Sequence, residues 1–449
     1  MKKNRVVITG MGVVTPVGLG ITETFDALVE KKCGIKRIQT FDPSNFPAQI
    51  AGEIISADVK ECVPKGYRKA VKVMARDIEL AVIAAYRAVK DAGLHTKCIV
   101  DRGEAEKTNV DSTRFGANIG AGLICADLNE LAAALATAVD NPDSPSGRAF
   151  SLRKWGAEGM PNLTPLWLLK FLPNMLACHV TIVHDCQAPS NTITCGEASS
   201  HLAIGEAYRT IERGAADICI CGGAESKLNP MGLARQQLLH RLVTDCNDTP
   251  AKACRPFDRD RAGSVIGEGG GLLIIEELER ARARGAKIYG EIVGFGAATN
   301  ASSWMRPQPD GRGQMLAFKK ALADAKVTPD QVGLINAAGV GTREHDASEA
   351  AAIKSVLGDR ASKVPVLVTK GAIGNNGAGS GAIDLAVMSE ALHRGVIPPS
   401  LNTDVVDPAC GINVVSGDPI DCRADVAVSM AASLSGGQTA ALVIRRWQS

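Results

Sequence analysis

Two side chains that could carry chemistry, Cys195 and Glu197, lie two residues apart in the segment 188–225. The residue pattern there predicts a strand that ends with Cys195, a tight turn at Gly196, a helix over 198–213 and a second strand. A side chain at such a turn stands at the N-terminus of the helix, where free N–H groups and the helix dipole favour a nucleophile or an anion. The occupant decides the chemistry, because a thiolate is a nucleophile that also leaves readily, whereas a carboxylate in the same role would form a reactive anhydride.

The composition is that of an α/β protein without nucleic-acid or membrane character. The 449 residues carry a formal net charge of +2, with 45% hydrophobic and 22% charged residues, so no global field favours nucleic acid or an anionic membrane. The 13 cysteines form no CxxC pair and are interpreted as reduced thiols, not as zinc ligands or disulfides. No stretch is long and apolar enough to span a bilayer, and no signal peptide is predicted. We therefore expect a cytoplasmic protein with no metal and no cofactor.

Strands and helices alternate along the chain in two halves, predicted at 1–287 and 288–449, which indicates an α/β fold. Two polar segments without periodicity, 96–113 and 139–163, are predicted to be surface insertions. The segment 10–18 follows a buried strand but lacks the third glycine of a dinucleotide-binding loop, so it is predicted to be a tight packing loop. Three other glycine loops follow strands, and such loops converge at the carboxyl ends of strands in open α/β sheets.

A set of motifs along the chain points to one family. The motifs are RVVITGMGVVTPVG near the start, NMLACHVTI at 174–182, APS, AIGEA, GAAD and GGAE within 188–225, RPFDRDRAG and GEGGG at 255–271, RARARGAKIYGEIVGFG, NAAG, TKGAIGN and SGGQT. On these motifs the chain resembles, over nearly its whole length, the β-ketoacyl–acyl carrier protein synthases, and most closely the type II elongation enzymes. The resemblance implies a thiolase-like fold of two pseudo-repeated halves in five αβαβα layers, usually as a homodimer. It also implies a cysteine that takes an acyl group from a carrier protein and two histidines that promote malonyl decarboxylation and stabilise the enolate.

The three catalytic positions that the resemblance implies hold other residues here. In the family the nucleophile precedes the glycine of an Ile-Gly pair by eight residues; that glycine is Gly205, and eight residues back is Glu197. Ala338 replaces the histidine of the N-A-H-G motif, and Asn375 replaces the histidine of T-K-x-x-x-G-H. The loss of one oxyanion-stabilising donor commonly lowers a rate by roughly 10²–10³-fold. The replacement of all three residues therefore predicts that ordinary condensation does not take place.

The resemblance also assigns residues around these positions. Lys370 keeps its family position, and we expect it to place a cation near the nucleophile position and to pair with the carboxylate there. Ser433 and Ser435 replace the two phenylalanines of the family's F-G-F-G-G-T-N loop, so the acyl-gating aromatics are absent. Cys195, Asn336, Ser433 and Ser435 are expected to line the substrate pocket.

The favoured function is that of a non-condensing partner. It would resemble the chain-length-factor subunits of polyketide systems, which pair with an active synthase. Glu197 would then be a carboxylate whose hydrogen bonds and charge are matched within the protein and which stabilises the turn. Those subunits usually carry Gln at this position, so Glu197 is a difference from the chain-length-factor subunits as well as from the active synthases. A basic cluster of Lys65, Arg68 and Lys69 on a predicted exposed turn is expected to dock an acidic acyl carrier protein. The expected partners are an acyl carrier protein or acyl thioester, and either a second copy or an active ketosynthase.

Two alternatives remain open at the level of sequence. In one, Glu197 acts as a general acid or base on an acyl thioester. In the other, the chain is a 3-oxoacyl synthase that shifts its register and uses Cys195, with His201, His179 or His345 as candidate partners. Each of these histidines is more simply explained as a structural residue.

Overall fold

The computed structural model describes residues 3–139, 149–435 and 437–448. In that part of the chain the strands are β1 (Val6–Thr15), β2 (Gly18–Leu19), β3 (Ile35–Arg37), β4 (Ile50–Gly52), β5 (Phe115–Ala121), β6 (Ser190–Ile193), β7 (Ile218–Ser226), β8 (Glu268–Glu277), β9 (Gly290–Thr299), β10 (Leu334–Asn336), β11 (Pro365–Leu367), β12 (Val396–Ile397), β13 (Asn413–Val414), β14 (Ile420–Asp421), β15 (Val426–Ala432) and β16 (Gln438–Arg446). The α-helices are α1 (Ile21–Val29), α2 (Arg76–Asp91), α3 (Lys97–Asp101), α4 (Leu128–Thr137), α5 (Leu152–Lys154), α6 (Met175–His184), α7 (Ser199–Glu212), α8 (Pro230–Leu238), α9 (Leu278–Ala283), α10 (Arg312–Ala325), α11 (Arg343–Leu357), α12 (Lys370–Ile373) and α13 (Ser380–Arg394).

One large mixed sheet contains two halves with the same topology. Strand order is β13-β11-β10-β15-β16-β9-β1-β8-β7-β5-β6. In each half three adjacent strands are antiparallel, β1-β8-β7 in the first and β9-β16-β15 in the second. Two parallel strands follow them, β5-β6 and β10-β11, and the second half adds β13, which is parallel to β11. The halves join where β1 pairs with β9 over Val6–Ile8. The predicted boundary at residue 287 lies between α9 and β9, and the division into two domains stays a prediction.

Helices cover both faces of each half of the sheet. Helices α7 and α13 contact each other between the two halves, α2 and α6 cover the outer face of the first half, and α10 and α11 cover the second. The layers are those of the expected thiolase-like α/β fold. Because α13 lies in the central layer, its residues from Ser380 to Leu392 are buried. In the described residues no helix is both long and apolar enough to cross a bilayer.

Close packing of glycine strands on helices recurs in both halves. A Cβ on Gly12 of β1 would lie 1.9 Å from the Ala84 carbonyl oxygen of α2, and one on Gly296 of β9 would lie 2.2 Å from the Ala317 carbonyl oxygen of α10. The segment 10–18 is therefore mostly strand, and its prediction as a loop is wrong. Its glycines are required because a helix backbone lies directly against them.

The two predicted insertions contain more regular structure than their composition indicated. Segment 96–113 contains α3 and begins a short 3₁₀ turn, Ser112–Arg114. The described part of 139–163 contains α5, a π-helical turn at Trp155–Gly159 and a 3₁₀ turn at Met160–Asn162. Residues 140–148, which include the D-N-P-D-S-P-S-G run, lie outside the described residues.

Candidate functional site

The connection between β6 and α7 is a sharp elbow, as the sequence predicted. Gly196 has a φ of +56°, the left-handed conformation that glycine adopts without strain. A 3₁₀ turn over Gly196–Ala198 leads into α7, so Glu197 lies at the helix start. Cys195 follows the strand and is not part of it, which corrects the prediction. Its N–H donates to Ser199 Oγ at 2.7 Å and is thereby withdrawn from the sheet.

The carboxylate of Glu197 is buried and hydrogen-bonded on both oxygens. Oε1 accepts from Lys227 Nζ at 2.7 Å and from Asn375 Nδ2 at 3.2 Å. Oε2 accepts from the backbone N–H of Leu434 at 3.0 Å. Three segments distant in sequence thus converge on one side chain, and two predicted site residues, Glu197 and Asn375, are in direct contact.

These contacts hold Glu197 in its ionised form. Burial by itself would raise its pKa, because it removes a charge from water. The positive charge of Lys227 and the hydrogen bonds from Leu434 and Lys227 outweigh burial and lower the pKa of Glu197 to about 2. The side chain is therefore a carboxylate near neutral pH, a weak base with no proton to donate.

Lys227 is a site residue that sequence analysis missed. It is 5% exposed and follows β7 directly. A second buried carboxylate, Glu225, lies close enough to interact electrostatically with it; burial raises the pKa of Glu225, the attraction of Lys227 opposes this, and repulsion from Glu197 adds to it. Glu225 Oε2 also accepts the N–H of Ala378 at 2.7 Å. The signal in the sequence was a lysine placed immediately after an apolar strand.

Lys370 does not pair with Glu197, so that part of its predicted role is wrong. Its ammonium group is buried against Asp384 of α13, to which the hydroxyl of Thr369 also donates. Asp384 is itself fully buried and would be left without a counter-ion if Lys370 turned toward the elbow. The cation that neutralises Glu197 is Lys227.

A cavity of about 420 Å³ opens beside Glu197. Its volume falls within the range of small-molecule sites, roughly 300–1,000 Å³. Its walls carry both charged and apolar side chains. The lining residues are Ala121, Gly122, Leu123, Pro173, Thr194, Gly196, Glu197, Glu225, Lys227, Arg235, Gln236, Leu239, Arg241, Ser433 and Ser435. The two serines that replace the family's phenylalanines therefore lie in the same cavity wall as Glu197.

Besides Lys370 and Asn375, the predicted site residues Cys195, Asn336 and Ala338 do not line this cavity. Cys195 is half-buried, and burial raises the pKa of its thiol, so the thiolate is disfavoured. Asn336 is buried at the end of β10, where its side-chain oxygen accepts from Ser429 Oγ at 2.9 Å. Ala338 offers only its backbone N–H, which donates to Glu349 at 2.8 Å. Each position is used for local structure.

Glu349 is the second carboxylate that stabilises a loop of the candidate site. It accepts the N–H groups of Ala338 and Gly339 at 2.8 and 2.9 Å. Burial raises the pKa of Glu349 to about 7, because these bonds and the more distant Lys370 only partly offset the loss of water. The pKa values of Glu349 and Glu197 are therefore shifted in opposite directions.

The three candidate histidines are engaged in structural contacts and do not line the Glu197 cavity. Burial lowers the pKa of each of them. Their ring contacts are His201 Nε2 with Ser429 Oγ at 2.9 Å, His179 Nδ1 with Tyr67 Oη at 2.8 Å, and His345 Nδ1 with Thr342 Oγ1 at 2.9 Å. Across the described ranges no group of His, Cys, Asp or Glu side chains is arranged to hold a metal ion.

The basic cluster lies on the surface of the described chain. Lys65, Arg68 and Lys69 are exposed on a 3₁₀ helix, Lys65–Val73, that immediately precedes α2. None of the three makes an ion pair within the part of the chain that the structure describes. Their role in carrier-protein docking stays a prediction.

Family models match both halves of the chain. The model described as "Beta-ketoacyl synthase, N-terminal domain" matches residues 3–281, and "Beta-ketoacyl synthase, C-terminal domain" matches residues 289–404. The chain belongs to the beta-ketoacyl synthase family. The predicted family resemblance is confirmed.

Relatives in this family include both fatty-acid and polyketide enzymes. The chain is similar to 3-oxoacyl-[acyl-carrier-protein] synthase 2 of Synechocystis sp., with 34% identity over 449 residues, covering 100% of this chain and 99% of the relative. It is also similar to the tetracenomycin polyketide synthase ketoacyl synthase alpha subunit of Streptomyces glaucescens, with 32% identity, covering 99% of this chain and 97% of the relative.

Solved structures of the family superpose over almost the whole chain. The structure titled "The ishigamide ketosynthase/chain length factor" has a TM-score of 0.83 and 26% identity, covering 99% of this chain and 100% of that one. A second, an acyl carrier protein of a type II polyketide synthase in complex with its ketosynthase, has a TM-score of 0.83 and 25% identity, with the same coverage. These likenesses agree with the thiolase-like fold.

Proposed function

We propose that this chain is a non-condensing ketosynthase-like subunit that works beside an active ketosynthase in fatty-acid or polyketide-type biosynthesis. The observation that carries the proposal is the state of Glu197, at the position where the family resemblance places the nucleophile. Both carboxylate oxygens are hydrogen-bonded, and Lys227 neutralises the charge. A carboxylate held in this way is a poor nucleophile toward a thioester and exchanges no proton near neutral pH.

The two histidine positions support the same proposal. Ala338 has no side-chain donor, and the amide of Asn375 already donates to Glu197. No neutral imidazole is left at either position to polarise a thioester carbonyl or to stabilise an enolate oxygen. Condensation then depends on a second subunit that has these groups.

An open sheet edge supports association with another subunit. Strand β6 is the last strand of the large sheet, pairs with β5 on one side, and has Ser190 and Asn191 exposed. An edge strand of this kind is a template for pairing with a strand of another chain. A known relative of similar fold is named as a ketosynthase/chain length factor, and another is a ketosynthase in complex with an acyl carrier protein. The exposed cluster of Lys65, Arg68 and Lys69 is the proposed contact for an acidic carrier protein.

One observation favours catalysis by Glu197 as the second candidate: a cavity of about 420 Å³ lies beside its carboxylate. The lowered pKa opposes this candidate, because efficient acid–base catalysis needs a pKa near the working pH. Catalysis by Cys195 has less support, because its thiol pKa is raised and it does not line the cavity.

Acylation of the isolated chain tests the proposal directly. We expect that incubation with acyl-loaded carrier protein leaves the intact mass unchanged, and that Glu197→Cys, which places a thiol at the helix start, acquires one acyl group without forming a condensed product. Peptide mapping locates the adduct, and Cys195→Ala is the matched control. An acyl group on the wild-type chain, at either Cys195 or Glu197, would contradict the proposal.

Association is tested by co-expression with an active ketosynthase from the same genome. Native mass spectrometry is expected to give a one-to-one complex, whose condensation rate is unchanged by Glu197→Gln. A rate that falls more than about tenfold in Glu197→Gln, with the complex intact, would support acid–base catalysis by Glu197 instead.

A further inference from the structure

A second cavity, of about 680 Å³, shares no lining residue with the cavity beside Glu197. At the end of β7, Glu225 and Lys227 line the Glu197 cavity. Ser226 and Leu228, which alternate with them, line the second cavity. Successive residues of an extended segment point to opposite sides, so the end of β7 separates the two cavities. The volume of the second cavity falls within the range of small-molecule sites, roughly 300–1,000 Å³.

The wall of the second cavity has more negative than positive side chains. Four carboxylates and two cations line it, so its net charge is −2 when every acid is ionised. Both cations are already matched within the chain. Arg76 pairs with Glu268 and Glu79, and Lys170 pairs with Glu130. The remaining negative charge favours a cationic ligand. The charged and titratable lining residues are Glu53, Arg76, Asp77, Cys125, Asp127, Lys170 and Glu268.

Asp77 is a buried carboxylate of this wall without a counter-ion. It lies in the first turn of α2, is 3% exposed, and accepts the backbone N–H of Ser226 on Oδ1 at 3.1 Å. Within the described residues no other side chain donates to its carboxylate, and no Lys, Arg or His forms an ion pair with it. Burial raises the pKa of Asp77 to about 8, and repulsion from Glu225 adds to this effect. Because a buried carboxylate ordinarily has a matching cation, the second oxygen of Asp77 is suited to a cationic donor from a ligand.

The rest of the wall is partly apolar. Ile54, Met74, Ile124 and Leu228 are buried side chains that line the cavity, and Phe171 lies beside them. No metal-ligand group is present in the described ranges, so a metal ion is not the cation that this wall matches. A matching ligand has an aliphatic body and one cationic end that donates hydrogen bonds. A primary ammonium group has this chemistry.

We propose that the second cavity binds an aliphatic primary ammonium ion, with Asp77 as its counter-ion. The ammonium group donates to Oδ2 of Asp77, and the aliphatic chain lies along Met74, Ile124 and Leu228. The site is separate from Glu197 and does not depend on the proposed function. It gives the chain a second ligand, of opposite charge to a carboxylate and with no part in acyl transfer.

Calorimetric titration of the full chain with hexylammonium and with hexanol tests the proposal. The two probes have the same aliphatic chain and differ in the charge of one end. At about pH 9, in a borate buffer free of other amines, Asp77 is above its raised pKa and hexylammonium is still protonated. Hexylammonium is expected to bind roughly 10- to 100-fold more tightly than hexanol, the range of a hydrogen bond to a charged group.

Two variants locate the binding, and a third is the matched control. Asp77→Asn keeps the size of the side chain and an oxygen for the Ser226 N–H, and is expected to lower hexylammonium binding to the level of hexanol. Ile55→Lys adds a cation at the rim of the cavity, where Ile55 is 68% exposed. It is expected to weaken hexylammonium binding roughly two- to fivefold by repulsion. Neither variant should change hexanol binding. Asp421→Asn, at an exposed aspartate paired with Arg423, should change neither probe.

Four results would overturn the proposal. They are equal binding of the two probes or no binding of either, an unchanged hexylammonium preference in Asp77→Asn, unchanged hexylammonium binding in Ile55→Lys, and displacement of hexylammonium by magnesium chloride at equal concentration, which would indicate a general cation site. The outcome is separable from that of the proposed function. Acylation of the wild-type chain would refute the non-condensing subunit and leave the hexylammonium preference standing.

Discussion

The two halves of the molecule build the same elbow twice. In the first half Gly196, with a φ of +56°, opens a 3₁₀ turn before α7; in the second Gly377, with a φ of +55°, opens one before α13. Each helix begins with a serine, Ser199 or Ser380. Its hydroxyl accepts the backbone N–H four residues earlier, at 2.7 Å in the first elbow and 3.0 Å in the second.

The elbows differ in the side chain that follows the glycine, which is Glu197 in the first and Ala378 in the second. Glu197 is stabilised by Lys227, Asn375 and Leu434, whereas Ala378 contributes only its backbone N–H. The elbow backbone therefore follows from a glycine and a serine close together in sequence. The chemistry depends on one side chain and on partners from distant segments.

Removal of the counter-ion is expected to give the largest effect on this comparison. Lys227→Met removes the only cation that forms an ion pair with Glu197 in the described residues and should lower the free energy of unfolding by about 3–5 kcal/mol. Urea denaturation of the variant measures this loss. The double variant Lys227→Met with Glu197→Gln should recover much of it, because the buried charge is then removed.

The exposed pair Lys3–Glu212 provides a matched control. Lys3 is 69% exposed at its side chain, so Lys3→Met should change the free energy of unfolding by no more than about 1 kcal/mol. If Lys227→Met lowered the free energy of unfolding no more than Lys3→Met, the first elbow would not depend on its counter-ion. The two elbows would then differ in sequence but not in how they are stabilised.

The pH dependence of stability should have opposite signs in the two halves. The pKa of Glu197 is lowered to about 2, so its contribution is present above its ordinary value of 4.5 and is lost as pH falls toward 2. Between pH 5 and pH 2 the free energy of unfolding of the wild type should therefore fall, relative to that of Glu197→Gln, by on the order of 3 kcal/mol. The pKa of Glu349 is raised to about 7, so ionising it costs stability as pH rises from 4.5 to 7, and Glu349→Gln should gain on the wild type over that range.

Chemical denaturation of the three proteins at a series of pH values measures these differences. Only the change with pH is decisive, because each glutamine also alters hydrogen bonds at every pH. If the free energies of unfolding of wild type and Glu197→Gln changed in parallel with pH below pH 5, Lys227 would not be holding the carboxylate ionised.

Substitution of the elbow glycines should give the smallest losses of stability. These losses should show which of the two elbows tolerates a Cβ less well. Gly196→Ala forces a left-handed backbone on alanine, which costs about 1–2 kcal/mol, and its Cβ would lie 2.7 Å from the movable hydroxyl of Ser433. Gly377→Ala carries the same backbone cost, and its Cβ would lie 1.9 Å from the buried Glu225 carboxylate. We expect it to be worse by about 1 kcal/mol or more in thermal or urea unfolding. Equal losses would mean that Glu225 can move aside.

Much of the fold could be predicted from sequence because it depends on local patterns. The alternation of apolar strands and helices and the elbow at Gly196 are set by neighbouring residues. The G-x-G of β1 was harder to interpret, because a glycine pressed against a helix and a glycine in a loop look alike in sequence. Only the neighbouring Ala84 carbonyl distinguishes the two.

The site was only partly predictable because its contacts cross between segments. The family register identified Glu197 and Asn375, which the structure brings together. It could not identify the cation, because Lys227 and Lys370 both follow apolar strands and only the fold shows that Asp384 pairs with Lys370. Arg235 and Arg241 lie in a polar stretch that looks like an ordinary solvated helix end.

The two halves share their site, and this limits how the gene can recombine. A crossover near residue 288 would combine Glu197 and Glu225 from one parent with Asn375, Ala378 and Leu434 from the other. A mismatch at residue 375 would leave Glu197 short of a side-chain donor, whereas the backbone N–H groups of residues 378 and 434 donate only if their loops keep their positions. Chimeras between distant relatives should therefore be less stable unless residue 375 and these loops are exchanged together with Glu197 and Glu225, although each half has a complete copy of the topology.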